Sequence, residues 1–148
     1  MEDIKKPILY ALRKLTTEQF ALSDESFMPS KIFNCNVTLN FALDHKKRML
    51  AVFSQIEIEK DNLQIIKIEI GCHFEIEPES YNSLVNEEMK TAVFSKEFIM
   101  NLTSIAIGAT RGALHVKTEN TPFNLYFIPI IKVNDLIQEE ITFDLNLD

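Results

Sequence analysis

Phe33-Asn34-Cys35-Asn36-Val37-Thr38-Leu39-Asn40-Phe41-Ala42-Leu43 alternates apolar and polar side chains almost without a break. Phe33, Cys35, Val37, Leu39, Phe41 and Leu43 point one way; Asn34, Asn36, Thr38 and Asn40 point the other. A period of two marks a strand with one packed face and one wet face. Residues 44–48 break the pattern with charge, and His45-Lys46-Lys47-Arg48 reads as a solvated hairpin turn. The next run starts apolar on both faces at 49–53, then sets Ile56 and Ile58 against Gln55, Glu57 and Glu59. Lys60-Asp61-Asn62 supplies turn chemistry. Ile66, Ile68, Ile70, Cys72, Phe74 and Ile76 then alternate with Lys67, Glu69, Gly71, His73 and Glu75. Three strands joined by short polar turns make an antiparallel meander, and Pro78 ends it.

Outward from the meander the period changes. Ser95 is a good N-cap, and Glu97 falls in the first turn, where the helix dipole favours an acid. Phe98, Ile99, Leu102, Ile105, Ala106, Ala109, Ala113 and Val116 come at helical spacing to about residue 118. Both faces of this helix carry apolar or small residues, so one side packs on the sheet and the other on a further helix or subunit. Gly108, Ala109, Gly112 and Ala113, with Ile105, form the expected oligomer interface, where small side chains admit a close backbone. Asn134-Asp135 is placed to cap a short last helix ending near Glu140, and the alternating, acidic tail 141–148 either frays or pairs. On the N-terminal side the pattern is ambiguous. Pro7 followed by Ile8, Leu9, Leu12 and Leu15 fits a helix start, whereas residues 16–22 favour a strand.

A chain of 148 residues fits one domain, 1–148, whose core would bury about 70% of the unfolded surface. With 46% hydrophobic and 25% charged residues, it has the composition of a globular protein. The net charge of −7 repels phosphate backbones and disfavours a nucleic-acid partner, while attracting basic stretches of other chains. Cys35 and Cys72 both fall on apolar sides of strands and read as reduced core thiols. The opening Met1-Glu2-Asp3-Ile4-Lys5-Lys6-Pro7 does not resemble a secretory signal, and the apolar region 98–109 is too short to span a bilayer. The expectation is a cytoplasmic protein without membrane insertion.

No catalytic constellation stands out. The three Gly form no phosphate-binding pattern. Cys72 and His73 are neighbours on a strand, point to opposite faces and cannot share a metal ion. Glu57, Glu59, Glu69, Glu75, Glu77 and Glu79 read as the solvated face of a sheet. The chain is therefore expected to be no enzyme and to need no cofactor or metal. What does stand out is surplus apolar surface: the two-faced helix, and Phe123, Leu125, Tyr126, Phe127 and Ile128 in a loop too hydrophobic for simple exposure. Such a surplus reads either as a homo-oligomer interface or as a groove for a client.

The ordered set of short motifs resembles the SecB preprotein-export chaperones. It runs from Gly71 with His73-Phe74-Glu75-Ile76, through the helix opening Val93-Phe94-Ser95-Lys96-Glu97 and Arg111-Gly112, to Pro122-Phe123-Asn124-Leu125 and Pro129-Ile130-Ile131-Lys132-Val133-Asn134. The similarity covers roughly residues 15–138 and decides the N-terminal segment as a strand. The implied fold is α+β: a four-stranded antiparallel sheet packed with one long helix and one shorter C-terminal helix. The resemblance implies a cytoplasmic homotetramer, a dimer of dimers, that holds unfolded polypeptides or preproteins without ATP. Phe123, Leu125, Tyr126, Phe127 and Ile128 would be its groove, and the Sec export ATPase a further partner. The chain departs from the family in lacking a Pro at the helix start, in a longer loop, and in Lys67 where the family carries the acid that meets that ATPase; the apolar neighbour is kept as Ile65. A relative that chaperones an antitoxin, and a small-molecule carrier of α+β fold, are the alternatives.

Overall fold

The structure, a computed structural model, describes residues 6–23 and 30–145. The reading of the N-terminus therefore rests partly on residues 1–5, outside the described residues, as do the last three of the tail. The chain is α+β. Strands β1 (Tyr10–Leu22), β2 (Asn34–Asp44), β3 (Met49–Lys60) and β4 (Leu63–Ile76) form an antiparallel sheet in the order β1-β4-β3-β2. The meander is as read from its alternation, and the ambiguous N-terminal segment is the strand that closes the sheet beside β4.

Each turn has a local cause. Asp61 and Asn62 both take the left-handed conformation, with φ of 52° and 65°. That is the turn whose twist matches a two-residue hairpin, and it pairs Lys60 with Leu63. In the β2–β3 turn the Asp44 carboxylate accepts the Lys47 N–H at 3.1 Å, and Arg48 closes the turn at φ 53°. Its Nε donates to the Ile76 carbonyl at 3.1 Å, tying the turn to the end of β4. Pro78 opens a short helix, α1 (Pro78–Asn82), capped by Glu77, whose carboxylate accepts the Glu79 and Ser80 N–H groups.

Helix α2 (Lys96–Thr118) begins at Ser95, whose hydroxyl accepts the Phe98 N–H at 3.2 Å. Phe98, Ile99, Leu102, Ala106, Ile107 and Leu114 are buried. They meet the sheet over its two central strands, where Leu50, Val52, Ile56, Ile58, Ile66, Ile68, Cys72, Phe74 and Ile76 are fully excluded from solvent.

Two features depart from expectation. A second, small sheet forms from β5 (Val85–Asn86), β6 (Thr91–Phe94) and β7 (Ile141–Asp144), so this part of the acidic tail pairs. Phe94, stacked on Phe98 and edge-on to Phe143, ties it to α2. The last helix, α3 (Val133–Leu136), is one turn long, is preceded by Lys132 with no side-chain cap, and stops before Glu140. Ile137, only 5% exposed, turns inward at that point and returns the chain to extended form for β7.

Gly71 marks a close approach of β1, β3 and β4. A Cβ there would stand 2.5 Å from Thr16 Oγ1 and 2.8 Å from the Phe53 ring. Gly71→Ala is expected to destabilise the chain by about 1–3 kcal/mol, as overpacking does, seen as a lower thermal midpoint. An unchanged midpoint would show that β1 yields freely at this crossing.

Candidate functional site

β1 presents its apolar side chains to the same face of the sheet as the core. In the ladder with β4, Tyr10 stands opposite Ile76, Leu12 opposite Phe74, Leu15 opposite Cys72, Phe20 opposite Ile68 and Leu22 opposite Ile66. Directly opposite residues share a face. The β4 partners are buried, yet Tyr10 is 37% exposed, Leu12 43%, Leu15 56% and Phe20 36%. The core face continues past the helix that covers it.

The cause is dimensional. A helix with its side chains is about 10 Å across and strands are about 4.8 Å apart, so one helix roofs about two strands. α2 roofs β3 and β4. Among the described residues it meets β1 near its two ends. Tyr10 meets Phe98 edge-on at 5.3 Å, and Lys117 Nζ lies 5.3 Å from the centroid of the Phe20 ring. Strand and helix therefore run side by side, for about 30 Å by their respective rises. The helix line that starts at Phe98 continues through Ile105, Ala109, Gly112 and Val116, near multiples of 3.6 residues. Ile105 is 39% exposed and Val116 65%. A Cβ placed on Gly112 meets nothing within 4 Å. Floor and wall together make an open apolar valley, with Leu12, Leu15 and Phe20 below and Ile105, Ala109, Gly112 and Val116 beside them.

The helix residues singled out from the sequence lie along this outer flank: Ile105, Gly108 and Gly112 are exposed, Ala109 and Ala113 half-buried. The loop residues are placed differently. Phe123, Tyr126 and Ile128 are 8%, 2% and 3% exposed, Leu125 is half-buried, and only Phe127, at 58%, faces solvent. As a groove lining, that set is corrected: three of the five are core side chains. A one-turn 3-10 helix, Pro122–Leu125, folds the loop back on α2, with the Thr121 hydroxyl accepting the Phe123 N–H at 3.2 Å. Arg111 clasps the end of the loop, donating from Nε to the Ile128 carbonyl at 3.1 Å and from Nη2 to the Pro129 carbonyl at 2.9 Å. Tyr126 stacks edge-on with Phe33 at 5.1 Å, so the loop covers β2.

Sequence reasoning missed the floor because β1 carries two bulges, between Leu12 and Lys14 and between Thr17 and Gln19. Each inserts one residue, so the core-face positions 10, 12, 15, 17, 20 and 22, apolar except Thr17, step by two and three in turn. The steps of three imitate a helix. A mixed 2-3-2-3 spacing was the signal that could have found it.

The titratable groups with shifted protonation lie outside the residues that line the valley. Burial pushes the Cys72 thiol up to about 11, which keeps it protonated. Cys35 is also raised, by burial that outweighs the nearby Arg111. His73 lies on the outer face, its Nε2 3.3 Å from Thr16 Oγ1. Lys67 stands 3.7 Å from Glu57, directly across the ladder. His45 Nδ1 meets the Tyr81 hydroxyl at 2.6 Å and secures the hairpin turn to α1. Among the described residues no three His, Cys, Asp or Glu side chains converge as a metal site requires. No helix there is long and apolar enough to cross a membrane.

No protein-family model matches the chain, and no curated protein matches it. Among solved structures it is similar to a protein of unknown function from Streptococcus agalactiae. The identity is 11% and the TM-score 0.43, over 86% of this chain and all of that one. A likeness at that level carries nothing about function.

The buried and exposed placements of the loop aromatics are separable by mutation. Phe123→Ala and Tyr126→Ala should each cost about 3–5 kcal/mol as core truncations, and Phe127→Ala no more than about 0.5 kcal/mol, by chemical denaturation. Equal effects at all three would return the loop to the surface. His73 generates a pH dependence. Burial, reinforced by Lys14 and opposed by Glu18, holds its imidazole below the ordinary 6.5. The unfolded chain then binds the proton first, so stability falls as pH drops below about 6.5. His73→Gln should flatten that slope in denaturation midpoints taken at neutral and mildly acid pH; an unaltered slope would assign it to other groups.

Proposed function

We propose that this chain is a cytoplasmic, non-enzymatic holdase that binds extended, unfolded polypeptide in the valley between β1 and α2 without ATP. One observation carries the reading: four large apolar side chains of a core-facing strand, Tyr10, Leu12, Leu15 and Phe20, stand 36–56% exposed beside a helix flank of apolar and small residues, with Lys117 over the Phe20 ring at one end. Apolar contact supplies about 25 cal/mol per Å² removed from water and demands no particular side-chain order. A valley about 30 Å long matches about nine residues of extended chain. The net charge of −7 favours clients with basic stretches.

The resemblance to SecB chaperones supports the same class of activity at a different surface from the loop it first suggested. Delivery to the export ATPase finds less support. Ile65 is only 5% exposed, and Lys67 is engaged with Glu57. A small-molecule carrier would need an enclosed cavity behind the inward strand residues. Those residues pack on α2, and the recess of about 490 Å³ between the β2–β3 turn and β7 lies at the rim of the sheet.

The purified protein should suppress aggregation of a chemically unfolded test protein with no nucleotide present. Leu15→Ser, Ile105→Ser and Val116→Ser combined should abolish this while the circular dichroism stays unchanged, because all three side chains are exposed. Gly112→Trp should also block holding, since its side chain enters open space and removes a helix-weakening glycine. Full holding by both variants would place client binding elsewhere.

A further inference from the structure

The face of the sheet turned away from α2 carries a depression with a simple cause. Side chains alternate between faces along a strand, so Ala51, set between the buried Leu50 and Val52, belongs to this outer face. The ladders put Lys14, His73, Ala51 and Ala42 side by side in one row across β1, β4, β3 and β2. Two of the four are alanines. In the rows on either side β3 carries Phe53 and Met49. Small side chains between large ones leave a recess of about 350 Å³.

The floor of the recess is apolar: Ala51 is 7% exposed at its bottom, and the Phe53 ring stands edge-on to the His73 ring at 5.8 Å. The rim is cationic, in a chain of net charge −7. Lys14 lines it from β1 and Lys47 from the β2–β3 turn. Both are exposed, and among the described residues neither ammonium stands in an ion pair. Asp44, the acid at the recess, is committed to the turn, where it accepts the Lys47 N–H at 3.1 Å. Glu18 accepts the Thr16 hydroxyl at 2.7 Å, and Glu75, beside His73 on β4, is met by Arg13.

We infer that this recess binds a small organic anion, a carboxylate carried on a flat apolar ring. The ring lies on Ala42 and Ala51 against Phe53, and the carboxylate lies between Lys14 and Lys47. A cation is repelled by that rim and a neutral ring gains nothing from it; the anion uses both features. The volume stands at the small end of ligand sites, about 300–1,000 Å³, which suits a body of one or two fused rings. The site is on the opposite face from the valley and does not rest on the proposed holding of polypeptide.

The probe is 2-naphthoate, with neutral 2-naphthamide as its matched control, each titrated into the protein and followed by nuclear magnetic resonance. Naphthoate should saturate one site with half-saturation at or below about 1 mM, moving the signals of Ala42, Ala51 and His73, and the amide should bind at least about fivefold more weakly. Lys14→Gln and Lys47→Gln combined should weaken naphthoate by about fivefold or more, because two exposed charge pairs are lost. Ala42→Leu, at an exposed position, should fill the recess and abolish binding with an unchanged circular dichroism spectrum. His73 adds a readout that a change of fold would not give. Burial, then Lys14, hold its imidazole below the ordinary range, opposed by Glu18. A carboxylate bound beside Lys14 favours the charged ring, so saturation should move the His73 titration midpoint upward. Lack of saturation, equal binding of naphthamide, signal changes confined to Leu12, Leu15 and Ile105 in the valley, or unchanged binding by both variants would each overturn the inference. Ala42→Leu should hold unfolded protein as well as the unmodified chain does; naphthoate binding without any holding activity would overturn the proposed function alone.

Discussion

The contact between α2 and the two central strands is what the rest of the structure depends on. The rows from Leu50 to Ile58 and from Ile66 to Ile76 are closed to solvent by one helix of 23 residues. Because a helix is about two strands wide, this contact is complete over β3 and β4 and cannot extend to both outer strands. Each outer strand needs another solution. β2 receives the loop after α2, held by two Arg111 hydrogen bonds and by the packing of Tyr126 on Phe33. Among the described residues, β1 meets the two ends of α2, at Tyr10 and Phe20.

That asymmetry links packing to function. A sheet edge with its core face bare is an aggregation hazard in a free monomer, and an exposed apolar face of this kind is what the proposed holding activity rests on. The two bulges re-aim β1 so that its leucines stay on the core face while Arg13 and Glu18 interrupt a flat edge. The Arg13–Glu75 contact, 3.5 Å and exposed, contributes little energy. Its position on the wet face still leaves the apolar face free of charge.

The loop of residues 122–131 shows how hydrophobic sequence misleads about exposure. Its aromatic content is as high as that of a binding surface, but it is spent on roofing β2 and on the end of α2. Asn124 reinforces this with hydrogen bonds to the His115 carbonyl at 3.0 Å and to Thr118 Oγ1 at 3.1 Å. Phe127, 58% exposed, is the aromatic ring of this loop that faces solvent.

The meander was legible in the sequence because alternating runs between Asn34 and Ile76, separated by polar turns, leave one way to segregate their side chains. The long helix was legible in the same way, from Ser95 to Thr118, because capping and spacing are local properties of the chain. The α+β architecture came from those two. β1 was not legible from its own pattern, since its bulges are answers to the strand beside it and give a spacing between two periods. Nor could sequence say which apolar residues would be covered. Composition counts the hydrophobic side chains, but the width of one helix against four strands decides which of them meet water. That competition for cover buried Phe123, Tyr126 and Ile128 and left Leu12, Leu15 and Phe20 outside.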